Sequence, residues 1–142
     1  MRGEGFFLSH NPDVRKATNY RGVEYRNGYA IFDPFSFYDV DLELMSTNRD
    51  LNFRNGDKFI SRNPRLARKL GIEASDPSVG VRPKDVRLWR RKNGYTWHEK
   101  EDVRTLQLVP ILIHRHSPHL AGVGEIKEAR RRYREEVERW QS

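Results

Sequence analysis

From Val40 to Leu44 apolar residues alternate with Asp39, Asp41 and Glu43, the period of two expected of a strand that buries one face and wets the other. The aromatic, β-rich stretch that leads into it, Tyr29-Ala30-Ile31-Phe32 followed by Pro34-Phe35, extends this β region from Tyr29 to Met45. Asn48 to Ile60 fits a short helix with Leu51, Phe53 and Phe59 as its apolar residues and Gly56 as a defect. In Asn63-Pro64-Arg65-Leu66-Ala67-Arg68-Lys69-Leu70-Gly71 the signals are sharper. Asn caps, Pro takes the first helical position and Gly ends it, which predicts a two-turn helix. Residues 71–82 read as a loop. Pro83 opens another helix, packed through Val86, Leu88 and Trp89 and stopped by Asn93-Gly94.

After that stop, Tyr95-Thr96-Trp97-His98 and Thr105-Leu106-Gln107-Leu108-Val109 read as two short strands joined by a charged turn from Lys100 to Arg104, a hairpin. Pro110 suits the start of a helix through Ile111–His114, broken at Ser117-Pro118. Beyond Glu125, Ile126, Ala129, Tyr133, Val137 and Trp140 recur every three or four residues, the pattern of an amphipathic helix. Residues 1–21 mix Gly, Asn, Pro and charge without a period and read as an irregular N-terminal arm, with one domain over 22–142.

Composition narrows the chemistry. The 142 residues suffice for one domain, and the absence of cysteine excludes disulfides, thiolate nucleophiles and Cys-ligated metal centres. The longest apolar run, Leu108 to Ile113, is far below the roughly 20 residues of a membrane span. The N-terminus carries no apolar core followed by a small-residue cleavage site. Lys and Arg number 27 against 20 Asp and Glu, a formal charge of +7 that favours polyanionic partners, nucleic acid or an acidic protein. Three basic runs carry that charge: Arg62, Arg65, Arg68 and Lys69; then Lys84, Arg87, Arg90, Arg91 and Lys92; then Lys127, Arg130, Arg131, Arg132 and Arg134. The second directly precedes the first hairpin strand and is the candidate set for phosphate contacts that position a polynucleotide without reading its bases. The third is balanced by Glu128, Glu135, Glu136 and Glu138.

His98, His114, His116 and His119 fall within 22 residues. A hairpin returning onto a helix brings the end of its first strand against that helix, as convergent metal ligands require. His114 and His119 stand about 140° apart on an unbroken helix, so the break at Pro118 has to turn His119 back. Surface or satisfied core histidines remain the alternative on spacing alone. Two residues after His114, His116 should point away and suits a solvated or phosphate-contacting role. Gln107 either bonds across the hairpin or is a surface polar group. Trp97 reads as core packing, and His10 has no functional reading.

Tyr95-Thr96-Trp97-His98-Glu99, then Asp102, then Arg104-Thr105-Leu106-Gln107-Leu108-Val109-Pro110, then Ile113-His114 and His119 resemble the core of the WHH branch of the HNH/endonuclease VII nucleases. Gly22-Val23, Asn27-Gly28-Tyr29 and Phe32-Asp33-Pro34 resemble the lead-in of the same family. The resemblance implies an α+β fold with a ββα-metal (His-Me finger) core, a β-rich lead-in and a C-terminal amphipathic helix. It implies one divalent cation (Zn, Ni, Mg or Mn) held by His114 and His119, with His98 either a third ligand or, the reading slightly favoured, the general base. Histidine ligands suit transition metals better than magnesium. Where the family has a second histidine, this chain has Glu99, a base, ligand or orienting partner; where the family has a glycine pair, it has Leu120-Ala121-Gly122. Members of the branch are C-terminal domains of large bacterial toxins, each neutralised by an immunity protein. The implied activity is metal-dependent cutting of DNA with little sequence specificity, by a module delivered into the cytoplasm of a target cell and countered by an acidic immunity protein. An RNase on the same scaffold, or a noncatalytic nucleic-acid-binding module with a structural metal, are the alternatives.

Overall fold

The computed structural model describes residues 4–117 together with residues 131, 135, 136 and 138–140. Two antiparallel three-stranded sheets and five helices make an α+β fold over residues 4–117. The first sheet has the order β1 (Gly5–Phe7), β2 (Val23–Arg26), β3 (Tyr29–Ile31). Asn27 and Gly28 close its second hairpin with φ of 53° and 82°, the pair of positive values that an Asn-Gly turn accepts and most residues do not. The second sheet has the order β4 (Tyr38–Asp41), β6 (Thr105–Pro110), β5 (Tyr95–Glu99), so β6 is central.

Residues 5–17 depart from the irregular arm expected there. Gly5–Phe7 pairs with Val23–Tyr25, and Pro12–Ala17 forms α1, capped by Asn11, whose side chain accepts from the N–H groups of Asp13 and Val14. This is the Asn-Pro start seen again at α3. A six-residue helix and a three-residue strand are too short to establish a period, which is why the pattern left them unread.

The central strand is buried on both faces from Leu106 to Val109, as a strand covered by two layers must be. Leu106 and Leu108 share one face with their ladder partners Val40 and Trp97. They pack under α2 (Arg49–Ser61), α3 (Pro64–Leu70) and α4 (Pro83–Asn93) in a cluster that includes Ile60, Leu66, Ala67 and Val86. Val109, on the opposite face, joins Val23, Tyr25 and Phe32 of the N-terminal layer and Ile113 of α5 (Ile111–Arg115). Residues facing that second layer are Thr96 and His98 of β5 and Gln107 and Val109 of β6, since directly paired residues lie on one face.

Gly56 shows why α2 lies so close to the sheet. A Cβ there would come within 2.8 Å of Trp97 Cε2 and 2.9 Å of Leu106 Cδ1. The glycine is the point of contact, and the buried side of α2 is Asn52, Gly56, Asp57 and Ile60. Leu51 and Phe59, expected as its apolar face, are 37% and 40% exposed, while Phe53 packs partly against the core. The alternation from Val40 to Leu44 becomes strand only as far as Asp41; at Glu43 φ turns to 66° and the chain bends toward the Asn48 cap of α2. Helix α4 begins at Pro83 and ends at Gly94, whose φ is 74°, the left-handed stop the Asn-Gly pair predicts.

Of the expected C-terminal helix, Ile126, Ala129, Tyr133 and Val137 lie outside the described residues. Arg131, Glu135, Glu136 and Glu138–Trp140 are helical, and Arg131 donates to Glu135 at 2.9 Å, an i,i+4 pair. Among the described residues no helix is long and apolar enough to cross a membrane.

Candidate functional site

His98 stands near the end of β5 and His114 on the one-and-a-half-turn helix that follows β6. The chain reaches α5 directly from the strand: Pro110 is the last residue of β6 and the N-cap of α5, and Ile111 N–H bonds back to Gly94 O at 2.8 Å. That link folds α5 over the β5 end of the sheet and brings His98 Nδ1 to 3.2 Å from His114 Nε2. Two imidazole lone pairs do not face each other at that distance unaided; a proton or a cation has to lie between the nitrogens. Phe32 fixes both rings. Its centroid lies 4.6 Å from that of His98, edge to face, and 5.2 Å from that of His114. It is itself 2% exposed, so the pair is built against an apolar wall.

Beside the pair, Gln107 sits opposite His98 in the ladder and is 1% exposed. Its Nε2 donates to Asp33 Oδ1 at 3.0 Å, while Lys100 Nζ approaches Asp33 Oδ2 at 3.3 Å. Burial pushes the Asp33 carboxyl up, but the Gln107 amide and the Lys100 ammonium outweigh it and hold it below the ordinary carboxylate range. Lys100 is shifted in the complementary sense: burial pulls its ammonium down and Asp33 carries it above the usual lysine value. Gln107 is therefore a buried bridge from hairpin to the 3₁₀ turn Asp33–Phe35, neither a cross-hairpin bond nor a surface group.

Glu99 is in a different place from the one expected. Successive strand residues point to opposite faces, so Glu99 enters the helical layer beneath α2, where its Oε2 accepts from Asn52 Nδ2 at 2.6 Å and its Oε1 from Arg49 Nε at 3.2 Å. At 5% exposure and with the sheet between it and His114, it is a brace between β5 and α2 rather than a base or ligand beside His98. His116 also stays apart: its Nδ1–H donates to Leu112 O at 2.8 Å, turning the ring back along its own helix. His119 lies outside the described residues. Among the described residues no group of three or more His, Cys, Asp or Glu side chains converges as a metal-binding set; His98 and His114 contribute two nitrogens.

The basic residues of α4 divide. Lys84, Arg87, Arg91 and Lys92 are exposed. Arg90 is 7% exposed and paired through Nε and Nη2 with Asp57 Oδ1 and Oδ2, both at 2.8 Å, which corrects its placement among the phosphate-contacting residues. It lies four residues after buried Val86, on the packed side of the helix. Between α2 and α4, ending at β5 and α5, runs a cleft of about 720 Å³ whose walls carry Arg54, Lys84, Arg87 and Arg91, the carboxylate of Asp50 and the Arg90–Asp57 pair, together with Thr96 and Ile111. Lys92 is not on its walls. Arg54 carries no chemical signature of its own in the sequence, and Phe32 and Asp33 stand out there only within the lead-in motif; what gives each its part is the neighbour it meets across the fold.

The model of the DNase/tRNase domain of colicin-like bacteriocin matches residues 22–121, most of the 142-residue chain. The chain belongs to this family. It is a nuclease toxin domain of the bacteriocin type, a hydrolase. Neither the curated proteins nor the solved structures contain a match to it. The matched span holds both His98 and His114, and all of the hairpin and α5 on which they stand. The two imidazole nitrogens are donors of the kind a transition metal takes, and at 3.2 Å they are equally placed to share a proton.

Proposed function

We propose that this domain is a metal-dependent endonuclease of the WHH type, with a His-Me finger formed by β5, β6 and α5, that cuts DNA with little sequence specificity. The observation that carries the reading is the 3.2 Å approach of His98 Nδ1 to His114 Nε2 across strand and helix. It favours His98 as a ligand over His98 as a general base. His98, His114 and His119 hold one divalent cation in this reading. Such a cation, when bound, supplies positive charge at the scissile phosphate and acidifies a water for attack near neutral pH. The protein's own part is placement. Phe32 keeps one side of the site dry, Gln107 and Lys100 fix Asp33 at its margin, and Lys84, Arg87 and Arg91 hold the polynucleotide by its phosphates. With no base-reading element among these residues, cutting is insensitive to sequence.

The biological setting proposed is delivery as part of a larger bacterial toxin into a target cell's cytoplasm. An acidic immunity protein, matched to the +7 charge, protects the producer by covering the basic face.

The test is nicking of supercoiled plasmid by metal-stripped protein with Mg²⁺, Mn²⁺, Ni²⁺ or Zn²⁺ restored singly, beside a parallel assay on RNA. Metal-dependent nicking, reduced at least a hundredfold in His98→Ala and His114→Ala, is the expected result. RNA degraded while plasmid stays intact, or full activity in His98→Ala, overturns the DNA assignment or the site assignment respectively.

A further inference from the structure

One end of the cleft is aromatic. Tyr95, on its wall, stacks on Trp89 of α4 with ring centroids 5.4 Å apart and planes inclined by only 8°. Phe37, just before β4, also meets Tyr95, its centroid 5.5 Å away and its plane inclined by 57°. Phe37 is 56% exposed. Burial does not account for a phenylalanine so placed, since more than half of its surface remains in water although the core lies close by. The half-exposed Phe37 thus meets, through Tyr95, a cleft whose walls carry the exposed cations Arg54, Arg87 and Arg91 on two facing helices, together with Asp50.

Two residues of the cleft wall lie close along the chain to the histidine pair. Thr96 of β5 is two residues from His98 on the same face of the strand, and Ile111 is three residues from His114 on α5. Tyr95 and His98 are three residues apart on one strand, about 10 Å, and so point to opposite faces of the sheet.

We infer that the cleft binds an unpaired stretch of DNA, with a base stacked on the Phe37 ring face and phosphates held by Arg54, Arg87 and Arg91. The inference rests on the nuclease reading above and names the form of its substrate. In a duplex the base faces are already stacked on one another and the phosphates alone are offered; an unpaired strand offers both, and stacking on aromatic side chains is the sequence-tolerant contact that such strands use. The arrangement is consistent with cutting insensitive to sequence, since every base has a face to stack.

Binding is measured without metal, by fluorescence anisotropy, with the His98→Ala protein and EDTA present so that the oligonucleotides stay intact. The probes are labelled dT16 and a 16-base-pair duplex at one fixed salt concentration. The expected result is tighter binding of dT16, weakened roughly tenfold by Phe37→Ala with the duplex unaffected. Phe37→Leu, which keeps the apolar contact with Tyr95 but removes the ring, gives the same selective loss, and Phe37→Trp restores parental affinity. Arg54→Gln and Arg87→Gln weaken both probes and each lower the salt slope by about one. Equal or tighter binding of the duplex, or a Phe37→Leu variant that weakens both probes or neither, overturns the inference. Because no cleavage is read, this outcome stays separate from the plasmid assay: a domain that nicks plasmid yet fails here is a nuclease without the stacking site.

Discussion

Asp57 gathers three helical and strand elements onto one carboxylate. It accepts two bonds from Arg90 of α4 and a third from Trp97 Nε1 of β5 at 2.9 Å, and it stands on α2 at 3% exposure. The Arg90 guanidinium also lies 6.0 Å from the Trp97 ring centroid. A buried pair of this kind contributes little net stability against an apolar replacement, yet removing one partner strands the other charge in the interior. Asp57→Ala is therefore expected to cost about 3–5 kcal/mol, with the Trp97 N–H left unsatisfied as well. The double variant Asp57→Leu with Arg90→Met is expected to recover most of that loss. Urea unfolding of the two proteins decides it: a single variant as stable as the parent would show that the pair is not the clasp between α2, α4 and β5. Because Trp97 precedes His98, this clasp also fixes the strand on which the site stands.

Helix starts carry much of the fold. Asn11, Asn48 and Asn63 each cap a helix with their side-chain oxygen, and two of them precede proline, so α3 was legible from its first three residues while α1 was hidden only by its brevity. Helix α4 begins differently, on Asp85, whose Oδ2 accepts from Arg82 N at 2.9 Å and whose Oδ1 accepts from the Ser75 hydroxyl. Burial pushes the Asp85 carboxyl up, but these two donors outweigh it and bring it below the ordinary value of 3.8. A depressed carboxylate stabilises the folded state fully above its unfolded pKa and loses that effect as the pH falls through the folded one. Asp85→Asn is accordingly expected to lower the urea midpoint at pH 7, by an amount equivalent to about 1 kcal/mol, and to differ from the parent much less at pH 3. A gap that is constant across that range would assign the effect to packing rather than charge. The helix interiors were less legible than their ends. In α2 the sheet is met by Gly56 and Asn52, small and polar, while Leu51 and Phe59 face outward; a hydrophobic pattern cannot report a contact made by the absence of a side chain.

At the scale of the molecule the site is a junction of layers. His98 belongs to the central sheet, His114 to the helix that crosses it, and Phe32 to the strand-rich lead-in. The two histidines were legible because hairpin and helix signals were strong on either side of them. The opposite facing of Glu99 follows from the period of the same strand, once Trp97 is known to be core. The cation set of the cleft was only half legible, since Arg54 comes from a helix whose orientation depends on Gly56. If a cation joins β5 to α5, it must stabilise the whole fold by mass action, because the unfolded chain offers no preformed pair. Zinc or nickel at about a hundred times its dissociation constant is expected to add about 2.7 kcal/mol, seen as a rise of several degrees in the melting temperature of metal-stripped protein. That rise should vanish on addition of EDTA and be small in both His98→Ala and His114→Ala. His116→Ala should keep it whole, since that ring is turned to Leu112. Retention of the full rise in His98→Ala with its loss in His114→Ala would instead make His98 the proton acceptor beside a cation held by the helix. Retention in both variants would place the cation elsewhere and leave the 3.2 Å contact as a shared proton.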